Sequence, residues 1–207
     1  PEVVRLSNNL LKIKNLRFGS IDKESNYLIN TISSQKGEIL LMQNNDKVKA
    51  ELNQKTQNST RYAVIVADNN LKEEARKYFK TPLVFSVQEA KGLEYENVIL
   101  LNFISANPDE FKEIVRGVNA ADLQEDTLQY ARPADKTDKD AEIYKFYINS
   151  FYVAITRSIK NIYLFETQLN HAVLELLSLK EMTKPLQVAE QKSGKEEWLE
   201  EAKRLEE

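Results

Sequence analysis

Short apolar runs alternating with segments of helical spacing constrain this chain more than any other feature. Runs at residues 38–42 (EILLM), 62–67 (YAVIVA), 83–87 (LVFSV), 98–104 (VILLNFI) and 162–165 (IYLF) are β-branched or aromatic and bounded by turn residues. Two of them are continuous enough to be strands covered on both faces. Between the runs, apolar residues recur at helical spacing over 3–14, 23–33, 46–54, 71–79, 111–118, 123–130, 141–155 and 169–179. This alternation predicts an α/β fold in three layers, a mostly parallel sheet with helices on both faces. Residues 131–140 (ARPADKTDKD) are polar and contain proline, the pattern of a surface loop.

Composition narrows the chemistry. The 207 residues include no cysteine and one histidine, His171, so a thiolate metal site, a disulfide framework and most triads are excluded. No metal site is expected from the chain itself. Hydrophobic residues make up 42%, enough for a core, while 29% charged residues and no long apolar run argue against a membrane partner. Without a secretory segment or cysteines, the expected compartment is cytoplasmic. The first residue is Pro1 and the charged stretch 195–207 ends abruptly, so the sequence reads as part of a longer protein.

A nucleotide-hydrolysing chain would be expected to carry G-x-x-x-x-G-K-[ST], whose backbone N–H groups wrap phosphates. The single Gly-Lys pair, Gly194-Lys195, is followed by Glu196 in a polar tail and does not fit. Asp68 follows a strand, but with Asn69 and Asn70 it is better explained as a helix cap. Two segments stand above this background. In SVQEAKGLEYENVIL (residues 86–100) a strand ends, a turn with Gly92 between Lys91 and Leu93 intervenes, and a second strand begins. In FYVAITRS (residues 151–158) a helix ends in Arg157 just before another strand. Taken singly each has a plain alternative: Lys91 and Glu94 as a surface pair, Arg157 as a cation favoured at a helix C-terminus.

Together and in this order, the two segments resemble motifs V and VI of superfamily 1 helicases of the UvrD/Rep type, close to T-x-H-x-A-K-G-L-E-[FY]-x-x-V and L-[FY]-Y-V-A-[LI]-T-R-A. Ser86 stands at the Thr position and Gln88 at the His; Lys91, Gly92, Leu93, Glu94, Tyr95 and Val98 match, as do Tyr152, Val153, Ala154, Ile155, Thr156 and Arg157. Ser158 replaces the final Ala, and Phe146-Tyr147-Ile148-Asn149 stands where the family has a charged lead-in. Residues 1–11 look like the helix that follows motif IV.

The resemblance implies that residues 1–168 form the second RecA-like domain of such a motor, with 169–207 a C-terminal helical extension that could lead into a helical-repeat region. It implies an ATP-dependent helicase, a hydrolase whose ATP with Mg is bound mainly by an N-terminal RecA-like domain of the same chain. Arg157 would be the catalytic arginine finger. Gly92, Glu94 and Arg157 would contact nucleotide, Glu94 through the ribose. Ser86, Gln88 and Lys91 would face single-stranded DNA or RNA. Glu94 and Arg157 would meet one nucleotide at the carboxyl ends of the strands, where open α/β sheets collect ligands. The alternative is a helicase-derived module without catalysis that serves interaction or regulation. In the tail, Trp198, Ala202 and Leu205 recur at i, i+4 and i+7, an amphipathic helix expected either to open a repeat or to pack back on the domain.

Overall fold

A computed structural model describes residues 2–19, 28–30, 36–125, 128 and 139–206. Five strands, β1 (Ile39–Gln43), β2 (Tyr62–Val66), β3 (Val84–Ser86), β4 (Tyr95–Leu101) and β5 (Ser158–Glu166), make one sheet in the order β1-β5-β4-β2-β3, every pair parallel. All five sequence-predicted strands are present, with ends shifted by a few residues. The register explains their apolar continuity. Ala63, Ile65, Val98, Leu100, Ile162 and Leu164 pack into one core cluster, and Tyr62, Val64, Val66, Ile99, Tyr163 and Phe165 into a second. Alternate residues of each strand therefore face opposite layers, and both layers are covered.

The first layer is built from α1 (Glu2–Phe18), α4 (Pro108–Ile114) and α5 (Lys139–Thr156). Leu6, Leu10 and Ile13 of α1 and Ile148, Phe151 and Ile155 of α5 are buried there at helical spacing. Phe111 of α4 meets Phe151 edge to face at 5.9 Å between ring centroids. The opposite layer holds α2 (Asp46–Thr56) and α3 (Lys72–Tyr78), which supply Leu52 and Ala75. Asn45 caps α2 by accepting from the backbone N–H groups of Lys47 and Val48. Asp68 accepts from the Asn70 N–H ahead of the 3₁₀ turn Asn69–Leu71, which is the capping role its position suggested. The chain is thus α/β, with an all-parallel sheet and helices around it, as in a RecA-like three-layer domain.

Several local expectations are corrected. The helix expected over 23–33 falls mostly outside the described residues, and 28–30 are not helical. Of the helix expected over 123–130, the described part is the 3₁₀ turn Ala120–Gln124 followed by an extended Glu125; residues 126–127 and 129–130 lie outside the description, as do 131–138 of the predicted loop. The helix expected over 111–118 starts earlier, with Pro108 in its first turn, where a missing N–H costs nothing. It stops short because Gly117 adopts φ +75°. The last predicted helix shortens to α6 (Ala172–Leu176). His171 caps α6: its Nδ1 accepts from the Val173 N–H at 3.2 Å while Nε2 lies 2.8 Å from the Pro108 carbonyl.

Beyond α6 the chain crosses the α2 and α3 layer in extended form. Met182 donates its N–H to the Leu41 carbonyl, Leu186 and Val188 are buried in the second core cluster, and Ser193 bonds Asn58 and Thr60. It then forms α7 (Lys195–Glu206), which packs back on the domain. The packing face differs from the expected stripe. Trp198 is half-buried against the core and Glu201 is buried, whereas Ala202 and Leu205 are exposed. No helix among the described residues is long and apolar enough to cross a membrane.

Candidate functional site

The segment between β3 and β4 runs from the carboxyl end of one strand to the amino end of the other, passing β2 in between. Its first half is a tight turn. Ser86 closes β3 and is buried; its N–H and its hydroxyl both donate to Glu89 Oε2, at 2.8 and 3.2 Å. The Glu89 N–H returns toward Ser86 Oγ at 3.4 Å, the reciprocal pattern of a capping box. Lys72, at the start of α3, grips both Glu89 carboxylate oxygens at 2.8 Å. Burial alone would raise Glu89, but the bonds from Lys72 and Ser86 outweigh it and hold the carboxyl below its ordinary range. Ser86 is thus occupied by its own turn, while Gln88 and Lys91 are exposed.

The second half reaches the other end of the sheet. Ala90 is fully buried and fixes the turn to the core. Gly92 adopts φ +83°, with no atom within 4 Å of where a Cβ would stand, so glycine is demanded there by conformation and not by space. Glu94 follows, exposed, directly before β4. Arg157 stands between the last residue of α5 and the first of β5, as the sequence predicted. β4 and β5 are neighbours, so Glu94 and Arg157 share one rim. That rim is the amino end of the strands, which corrects the expectation of a carboxyl-end site.

The correction has a topological cause. The chain leaves β4 toward β5 and leaves β2 toward β3, so the carboxyl ends of β4 and β2 form the switch point where open sheets collect ligands. A small cavity of about 110 Å³ does lie there, lined among others by Lys49, Val66, Tyr78, Leu101 and Asn102. Glu94 and Arg157 belong to residues that enter β4 and β5, and an entering residue lies at the opposite end.

Direct contacts join the two motif segments. Arg157 Nη1 donates to the Leu93 carbonyl at 3.2 Å and the Arg157 carbonyl accepts from the Tyr95 N–H at 2.8 Å. Its Nε and Nη2 donate to the Val153 carbonyl and the Thr156 hydroxyl, each at 3.1 Å. All three acceptors are uncharged. Among the described residues no carboxylate forms an ion pair with Arg157, and two of the five guanidinium N–H donors remain for a ligand. A half-buried cation with no ion-pair partner among the described residues, on the same rim as an exposed carboxylate, suits an anionic ligand that also carries hydroxyl groups.

Sequence reasoning missed several residues that organise this region. Glu89 carried a readable signal, since Ser86-x-x-Glu89 is the capping-box spacing. Lys72 gave none, because its partner is 17 positions away. Glu201 and Arg204 of α7 gave none either. The Tyr95 hydroxyl donates to Glu201 Oε1 at 2.7 Å, and Arg204 donates to the Glu94 carbonyl at 2.8 Å.

No family model matches the chain. Among solved structures the chain is similar to the C-terminal domain of a possible DNA helicase from Lactobacillus plantarum WCFS1, at 14% identity and a TM-score of 0.43, over 87% of this chain and 96% of that one. At that identity and score the likeness carries nothing about activity.

Proposed function

We propose that this chain is the second RecA-like domain of an ATP-dependent helicase motor. In this reading it presents Arg157 to the γ-phosphate, and Glu94 and the Gly92 turn to the ribose side, of a nucleotide held mainly by another RecA-like domain of the same polypeptide. The carrying observation is that residues 93–95 and Arg157 are bonded into one unit at the amino ends of β4 and β5. Phosphoryl transfer to water spreads charge over the γ-phosphoryl oxygens, and a planar guanidinium with donors to spare stabilises it. When bound, ATP with Mg supplies the reacting phosphoryl group and its counter-charge. In this reading the phosphates and the metal are held by the other domain. In the same reading Gln88 and Lys91, both exposed, meet single-stranded DNA or RNA, with Ser86 shaping the turn behind them.

The test uses the full-length polypeptide: ATP turnover stimulated by single-stranded nucleic acid, with Arg157→Ala lowering kcat by roughly 10³-fold and ATP affinity changing little. Full activity of that variant refutes the assignment. A second reading, an interaction module without catalysis, draws on Phe146 of α5, exposed at 53% where the family resemblance calls for charge, with Ile143 exposed at 51% on the same helix. Absence of any ATP turnover in the full-length protein favours that module.

A further inference from the structure

Three side chains from two distant parts of the sequence, those of Tyr95, Glu201 and Arg204, form a cluster, and one of them bonds the carbonyl of Glu94. Arg204, in the last turn of α7, donates from Nη1 to the Glu94 carbonyl at 2.8 Å and from Nη2 to Glu201 Oε1 at 2.7 Å, with its guanidinium 4.7 Å from the centre of the Tyr95 ring. The same Glu201 oxygen accepts the Tyr95 hydroxyl at 2.7 Å. Glu201 is 8% exposed, a carboxylate taken out of water to serve this cluster. Arg157 grips the neighbouring Leu93 carbonyl, so two guanidinium groups hold consecutive carbonyls of one short segment.

The segment needs such ties. The pairing of β4 with β5 is irregular between Tyr95 and Asn97, which turns Tyr95 toward the α1 and α5 side and breaks the ladder where Glu94 enters. A side chain launched from an irregular strand start is only as well placed as its carbonyl and Cα are held. We propose that Glu201 and Arg204 are positioning residues for Glu94, a clamp by which the C-terminal helix sets the ribose-facing carboxylate; this rests on the reading of Glu94 above. Glu201 balances the Arg204 charge, so the clamp orders the rim without adding a cation that would compete with Arg157. Burial and the Glu201 bond push the Tyr95 phenol up, which keeps it a neutral donor over the physiological range.

The experiment reads the ribose contact in the full-length protein as the ratio of affinities for ATP and 2′,3′-dideoxy-ATP. A hydrogen bond to a charged group predicts a preference for ATP of about 10-fold or more. Arg204→Ala should cut that preference to within about 3-fold while ATP turnover remains measurable. Arg204→Lys, which keeps charge but cannot bridge Glu94 and Glu201 with one planar fork, should fall between and covers the case in which Arg204→Ala folds poorly. Glu94→Ala should abolish the preference, and adding Arg204→Ala to it should change nothing further. An unchanged ratio in both Arg204 variants, with Glu94→Ala lowering it, overturns the clamp. A ratio untouched by Glu94→Ala overturns the ribose reading itself and the clamp with it.

Discussion

The two ends of the sheet treat charge in opposite ways. At the carboxyl end, Glu166 is fully buried and its carboxylate oxygens accept the N–H groups of Ile104 and Ser105 at 3.0 and 2.7 Å. At the amino end, the Arg157 guanidinium donates to the carbonyls of Val153 and Leu93. Each side chain leans on neutral main-chain groups of the opposite polarity. The difference lies in what remains: Glu166 is sealed under the turn that follows β4, whereas Arg157 is half-buried and keeps donors unspent. One side chain is spent on architecture, and the other has no ion-pair partner among the described residues.

The sharpest way to break that contrast is at Arg157. If the residue acts on a phosphoryl group, Arg157→Lys should recover little of the roughly 10³-fold kcat loss of Arg157→Ala, because an ammonium cannot reproduce the planar fork. If it only terminates α5, both variants should keep their activity, with Ala costing about 0.3–1 kcal/mol of stability and Lys restoring it. ATPase rates and denaturant midpoints of both variants decide between these outcomes. At the other end the loss should be structural. Glu166→Ala leaves two N–H groups without their acceptor, at a cost of about 1–3 kcal/mol read as a lower denaturant midpoint, with the ATP to dideoxy-ATP ratio unchanged.

The smallest effect sharpens the comparison within the carboxyl end. Burial raises Glu166 more than the Ser105 hydroxyl and the backbone N–H donors lower it, so its contribution is present below the ordinary carboxylate range and is lost as pH rises through its folded value. Glu89 is held below that range, so its contribution is present above it and is lost as pH falls through the folded value. Glu89 is also partly exposed, and its pair with Lys72 is worth at most about 1 kcal/mol. Lys72→Ala should therefore lower the neutral plateau of a stability profile by at most about 1 kcal/mol while leaving stability at acid pH in place, so that the acid limb flattens.

How far these features were legible depends on whether they are local. Strand identity was, since apolar continuity and residue parity are written along each run, as in Tyr62, Ala63 and Val64 facing alternate layers. Arg157 closing α5 before β5 was also readable, because helix end and strand start are adjacent in sequence. The end of the sheet at which Glu94 lies was not, since it depends on strand order. The α7 packing face escaped for another reason. Hydrophobic periodicity selects Trp198, Ala202 and Leu205, but the helix docks through Glu201 and Arg204, whose partners are a phenol and a carbonyl. Leu186 and Val188, isolated in a polar stretch, show no periodicity although both are buried.

The extended segment after α6 also governs how the sheet meets other molecules. A border strand offers a row of unpaired N–H and C=O groups, a template on which foreign strands can assemble. On the β1 border, residues 181 and 182 lie alongside Leu41 in a single parallel bridge, with the Met182 N–H bonded to the Leu41 carbonyl at 2.8 Å. On the opposite border β3 is three residues long and follows Pro82, too short to template much pairing. The stretch that carries the chain to α7 therefore occupies the border at Leu41, on the side that brevity does not protect.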